Sequence, residues 1–181
     1  MKVFSIKIKF TTDYLQARFT EDAKKEIENY ISQGIIKSEE DSWKVLLHED
    51  AKGVYIPAIQ LRNCLINSGK EFKVKKQRRS MQAWVISNII VEPEHIYFGK
   101  PKPDKILVSY PARKDGNRVT IKHPAFLAGT EVEFIVKSLD DGMETKAIEN
   151  LIIMAGKMYG IGARRRDLYG RFELVNIKAK L

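Results

Sequence analysis

The chain has 181 residues, of which 44% are hydrophobic and 30% charged, with one cysteine and a net charge of +9. Such a chain suits a single domain with a proper core, and it excludes both a disordered polymer and a disulfide-stapled scaffold. The charge is lopsided: residues 1–60 carry nine Lys/Arg against ten Asp/Glu, whereas residues 61–181 carry twenty-three against thirteen, which favours a polyanionic partner.

In chain order, Lys2 to Phe10 reads as a strand, with Phe4, Ile6, Ile8 and Phe10 on one side and Ser5, Lys7 and Lys9 on the other. The lysines interrupt the apolar run that a signal peptide needs. No stretch approaches the roughly 18 apolar residues of a membrane span, so a cytoplasmic protein with no membrane partner is expected. Thr20 caps a helix through Gln33, and Gly34 stops it. "WKVLLHEDAKGVYIP" reads as a hairpin turning at "DAKG". A helix follows from about Ala58 to Asn67, with Gly69 as a left-handed stop. Cys64 on this helix is expected to be a buried, inert thiol.

"KEFKVKKQRRSMQAW" holds six basic residues and one acid between Lys70 and Arg79, and reads as a loop or exposed hairpin. "AWVISNIIVEPEHIYFG" is β-rich and buried. "KPKPDK" is too rich in proline for a central strand. "KILVSYPARKDGNRVTIKHP" reads as a second hairpin with a basic tip at Arg113, Lys114 and Arg118. "GTEVEFIVKS" alternates as a strand, and "DDGMETKAIENLIIMAGKMYG" is a helix stopped by Gly160. "YGRFELVNIKAK" is a closing strand with Phe172, Leu174 and Asn176 on one side. This pattern is compatible with an α+β, ferredoxin-like (RRM-like) β-α-β-β-α-β core. It would form a single domain over 1–181, with large inserted hairpins at about 12–52 and 70–123.

The stretch "MYGIGARRRDLYGRFEL" carries the sharpest chemical signal. A glycine pair that binds nucleotide phosphates must precede a helix, whose N-terminus faces the anion. Here the glycines follow the helix, at its negative end. No Gly-Lys-Ser/Thr is present, so neither ATP, NAD nor another cofactor is expected. His48, His95 and His123 lie far apart in sequence and Cys64 has no cysteine partner, so no metal motif is present. Nothing demands an enzyme. Arg164, Arg165, Arg166 and Arg171 crowd the glycine loop, and a guanidinium presents a planar fork that suits phosphate. A helix C-cap explains one or two of them. Tyr55, Phe72, Trp84, Tyr110 and Tyr169 are candidates for base stacking, though core packing is the commoner role of such residues.

Three segments resemble the RAMP superfamily, the RNA-binding proteins of CRISPR effector complexes, and especially their backbone subunits. "GIGARRRDLYGRFEL" resembles the glycine-rich signature before the family's last strand. "GVYIPAIQLRNCLINSG" resembles the segment opening its first helix, and "AGTEVEFIVK" resembles the strand before its last helix. The chain also resembles phage proteins with a "WK…KGxYIP…YGRFEV" skeleton. Departures occur at Ala58-Ile59-Gln60, where the family has Gly-Ser-Ser, and at the family's nuclease aspartate, which has no match. The resemblance implies that Arg62 faces a bound strand, that Gly160, Gly162 and Gly170 shape the loop, and that Arg164, Arg165, Arg166 and Arg171 contact phosphates. It places a finger-like hairpin at Lys73, Lys75, Lys76, Arg78 and Arg79.

The expected function is non-catalytic binding of single-stranded RNA or DNA, with a homo-oligomer or CRISPR-type effector subunits as further partners. The alternatives are a viral protein-interaction module, acting as a CRISPR backbone mimic or assembly protein, and a metal-independent ribonuclease using His123 or His48.

Overall fold

The structure, a computed structural model, describes residues 1–18, 43–73, 80–110 and 120–180. The expected helix from Thr20 to Gln33 and the tips of both basic hairpins lie outside the described residues.

The main sheet is built from β1 (Lys2–Phe10), β5 (Ile89–Glu92), β9 (Glu131–Ser138) and β10 (Phe172–Lys180), all antiparallel, in the order β10-β1-β9-β5. By chain order, that is fourth, first, third, second. Helix α1 (Ala58–Ser68) lies between the first and second of these strands, and α3 (Thr145–Met154) between the third and fourth. Alternation sends Phe4, Ile6, Ile8 and Phe10 of β1 and Val132, Phe134 and Val136 of β9 into one core. There they meet Leu61 and Leu65 of α1 and Ile148, Leu151 and Ile152 of α3. The fold is therefore α+β.

Two small sheets flank this core. One is β2 (Tyr14–Leu15), β8 (Ile121–Phe126) and β7 (Lys105–Ser109); the other is β3 (Glu49–Asp50), β4 (Gly53–Pro57) and β6 (His95–Tyr97). Strand β5 belongs to the main sheet, so the expected insertion at 70–123 is interrupted by a core strand.

Four local expectations are corrected. Gly69 has φ −60°, not a left-handed conformation, and the chain continues into a 3-10 turn. Its missing side chain serves packing instead, since a Cβ there would lie 3.0 Å from the Gln82 backbone. The start of the supposed buried β segment is a short helix, α2 (Gln82–Asn88), which buries Val85 and leaves Ile86 exposed. Lys44–Leu46 is a 3-10 turn, so the 43–57 hairpin is shorter than its apolar run suggests. In β10 a bulge opposite Lys7 and Ile8 inserts Val175, and Ile177, not Asn176, returns to the core side. By contrast, an antiparallel bridge joins Lys73 to Ser80 within the basic segment that reads as a loop or exposed hairpin.

Candidate nucleic-acid interface

The loop from Gly156 to Arg171 is fixed by its glycines. Helix α3 ends in a π turn over Ala155–Tyr159, and Gly160 breaks it at φ +66°. A Cβ on Gly170 would come within 1.8 Å of the Ile161 carbonyl, one on Gly162 within 2.4 Å of the Leu15 carbonyl, and one on Gly156 within 2.0 Å of the Phe172 carbonyl. Gly162 and Gly170 also have positive φ, where side chains are disfavoured. The contacts so permitted are backbone hydrogen bonds. Ile161 N–H donates to the Gly170 carbonyl at 3.0 Å, Ala163 N–H to Leu15 at 2.8 Å, and Gly170 N–H to Asp13 at 2.8 Å. The glycines therefore serve close approach within the chain, clamping the loop onto residues 11–15. Cys64 sits beneath this junction, its thiol 3.2 Å from the Gly160 carbonyl, and burial pushes it up to about 12.

Between Ala163 and Tyr169 the chain turns through a 3-10 turn, Arg165–Asp167, bracketed by Arg164 and Leu168 in the left-handed region at φ 52° and 68°. Arg164 Nε donates to Asp167 Oδ2 at 2.8 Å and closes the turn. The Arg164 guanidinium also lies 5.9 Å from the Tyr169 ring centre. Arg165 and Arg166 are exposed and make no ion pair among the described residues. Arg171 is half-buried. Its Nη2 donates to the Arg165 carbonyl at 3.3 Å, while Nε and Nη1 are buried without any partner. Unpaired buried donors on a cation are costly. Arg171 lines a groove of about 510 Å³ with Thr11, Thr12, Lys157 and the apolar Ile153, Leu168 and Leu174.

The structure separates the other site candidates. Arg62 is committed inside the fold: its Nε and Nη2 donate to the carbonyls of Ile89 and Ile86, at 3.1 and 2.7 Å, where α2 ends and β5 begins. Helix ends leave such carbonyls without partners in the helix. Lys73 is exposed at the hairpin stem. Lys75, Lys76, Arg78, Arg79, Arg113, Lys114 and Arg118 lie outside the described residues. His123 is enclosed, with Nδ1 3.3 Å from the Gln16 carbonyl, and burial lowers its proton affinity. Among the aromatic candidates, Trp84 donates to Asp140 at 3.2 Å and, like Phe72, packs on the core, Tyr110 is exposed, and Tyr55 stacks on His95.

The open face of the main sheet, which alternation gives to Lys7 and Lys9, is electrically balanced. Lys7 reaches Glu131 at 2.9 Å and Glu133 at 3.3 Å, and Lys137 reaches Glu92 at 2.5 Å. Among the residues whose side chains are described, Lys7, Lys9, Lys137 and Lys178 share that face with Glu92, Glu131, Glu133 and Glu173, and no aromatic side chain stands there. RRM-type recognition stacks bases on aromatics at that position. The excess positive charge lies in the loops.

Sequence reasoning named Tyr55 as a stacking candidate and His48 as a ribonuclease candidate, but missed that they gather with Asp50, His95 and Tyr97 around β3, β4 and β6. His48, Tyr55, His95 and Tyr97 come from three separate segments and form one ring cluster around Asp50. Burial lowers His48 to about 4, helped by the charges of Arg18 and His95. The period-2 alternation of Tyr55 with Pro57, and of His95 with Tyr97, was the only available signal. Among the described residues, no three His, Cys, Asp or Glu side chains converge as metal ligands, and no helix is long and apolar enough to cross a membrane.

No protein-family model and no curated protein sequence matches the chain. Among solved structures it is similar to a chain of type III-B Cmr-beta bound to cognate target RNA, at TM-score 0.55 and 14% identity, over 98% of this chain and 60% of that one. It is also similar to a chain of a type IV-B CRISPR complex, at TM-score 0.47 and 11% identity, over 98% of this chain and 90% of that one. The protein is thus related in fold to a CRISPR-associated protein, and it spans 60% of that neighbour's length.

Proposed function

We propose that this is a non-catalytic protein of RAMP type that binds single-stranded nucleic acid, RNA in preference to DNA, by its phosphate backbone. The observation that carries the reading is the arginine loop: Arg165 and Arg166 present two exposed guanidinium groups that make no ion pair among the described residues. Glycine packing holds these cations on a rigid turn, so little ordering is needed on binding. The strand order fourth-first-third-second, with a helix in each crossover, supports a ferredoxin-like core. The fold likeness to type III-B Cmr-beta, a structure bound to cognate target RNA, supports RNA as the ligand class. The balanced sheet face supports a binding surface made of loops.

The test is a titration of labelled single-stranded RNA and DNA at several salt concentrations. Affinity should fall steeply with salt, and replacing Arg165 and Arg166 together with alanine should reduce the log–log slope by about 1.4, at ~0.7 per lost phosphate contact. Absence of binding at low salt, or salt-independent affinity, would overturn the reading. The RNA should remain intact; cleavage abolished by His48→Ala would support a ribonuclease instead.

A second reading, a protein-interaction module, is favoured by the groove beside the edge strand β10, where Ile153 and Leu168 are exposed. A protein that co-purifies stoichiometrically, with a 260/280 nm ratio free of nucleic acid, would support it.

A further inference from the structure

The cluster on the β3-β4-β6 sheet is organised around one carboxylate. Asp50 Oδ2 accepts the Tyr97 hydroxyl at 2.7 Å and lies 2.8 Å from His95 Nδ1, while Oδ1 accepts the Lys52 backbone N–H at 2.8 Å. The Tyr97 hydrogen bond in particular holds Asp50 down at about 2, so it stays ionised. A carboxylate can only accept, so His95 Nδ1 carries a proton in this contact. The imidazole lies nearly parallel to Tyr55, with centroids 3.8 Å apart and planes 10° apart, and Tyr97 meets both rings edge-on. The rings are therefore locked from the side and from below. Yet the His95 side chain stays 37% exposed, and among the described residues no aromatic ring besides Tyr55 stacks on it.

This cluster is tied to the arginine loop by two consecutive residues. Gln16 Nε2 donates to the Tyr55 carbonyl and Gln16 Oε1 accepts the His48 N–H, both at 2.8 Å, while the preceding Leu15 carbonyl accepts the Ala163 N–H at 2.8 Å. One dipeptide and its hydrogen bonds thus separate Tyr55 from Ala163, a span of roughly 15 Å at 3.8 Å per Cα step. Arg18 lies along the way: its N–H donates to the Leu46 carbonyl at 3.0 Å, and its charge reaches His48. The ring cluster and the arginine loop are therefore coupled through the buried Leu15–Gln16 dipeptide.

We infer that Tyr55 and His95, pinned by Asp50 and Tyr97, form a nucleobase-stacking platform for an unpaired base of the strand whose phosphates lie on the 164–171 loop. The inference rests on the phosphate-binding reading of that loop. Every base has a π face, so the platform tolerates any sequence and favours large purine rings. It contributes affinity that salt does not screen, which distinguishes it from the arginines. Cross-strand ring packing alone would account for Tyr55 against Tyr97, but not for a part-exposed imidazole oriented by Asp50 and stacked on Tyr55.

Three oligomers of equal length test it at fixed salt: oligo(A), oligo(U) and an abasic sugar–phosphate chain. His95→Ala should weaken oligo(A) binding about tenfold, oligo(U) less, and the abasic chain not at all, with the salt slope unchanged. Tyr55→Phe keeps the ring and should bind as the parent does. Tyr55→Leu keeps bulk without aromaticity and should match His95→Ala, with circular dichroism checking that it folds. Equal loss for the abasic chain, or no loss for any oligomer, would overturn the platform. Its failure is separable from that of the phosphate reading by titrating uncharged adenosine while following the His95 and Tyr55 ring protons by NMR. Saturable upfield shifts on both rings support the platform even if no oligomer binds, and their absence overturns it even if oligomers bind tightly.

Discussion

The arginine loop and the open face of the main sheet are both rich in cations, yet they present opposite electrostatics. On the sheet, antiparallel register sets Lys7 opposite Glu133 and Lys9 opposite Glu131, and Lys7 reaches both carboxylates. On the loop, two left-handed corners turn Arg165 and Arg166 outward, and the acid within the turn, Asp167, is taken by Arg164. The surface field follows from which cations have partners. A count of lysines and arginines does not reveal that.

The largest effect that would break this contrast is backbone strain in the loop. Gly170→Ala places a Cβ 1.8 Å from the Ile161 carbonyl at φ +70°, and should cost about 3 kcal/mol or more in denaturant unfolding. Gly129→Ala, at φ +91° with nothing within 4 Å, should cost only about 1 kcal/mol. Equal losses would mean that the loop is not clamped to the 161–170 contact. On the binding side, replacing Lys7 and Lys137 with alanine should leave the salt slope for single-stranded RNA unchanged, where the Arg165/Arg166 pair lowers it. A comparable drop from the lysines would move the interface to the sheet.

A smaller effect should appear with pH. The His48 imidazole takes a proton at its ordinary value of 6.5 when unfolded, but only near 4 in the fold, chiefly because it is buried. Between those values the unfolded state binds more protons, so stability falls as pH drops from 6.5 to 4. Thermal unfolding across this range should show that slope, and His48→Gln should flatten it. Buried His123 contributes in the same direction, so the flattening is partial. An unchanged slope would place His48 in solvent. The smallest effect is on stability itself: Lys7→Ala should leave the unfolding midpoint unchanged within error, because exposed ion pairs are screened by water.

Local patterns made much of the fold legible. The 2-residue period of β1 and β9 and the helical period of α3 each presented one apolar face, and the structure buries those faces. Gly160 was legible as a stop because it ends a periodic apolar stripe. The Gln82–Asn88 helix was not legible: seven residues are too few to display a period, and its β-branched content argued for a strand. Tertiary contacts settle it, through Val85 in the core and Arg62 on its last carbonyls.

The sequence by itself determined the α+β class, the basic character, the strand–helix–strand close of the chain and the clustering of glycine with arginine in one loop. All of these are properties of neighbours in sequence. Tertiary structure decided the rest: the order of the four strands, the use of the glycines for contact with residues 11–15, the neutralisation of the sheet face and the gathering of Asp50, Tyr55, His95 and Tyr97. Those depend on groups far apart in the chain. Whether two such groups meet is set by sheet register and chain crossing, which no local periodicity encodes.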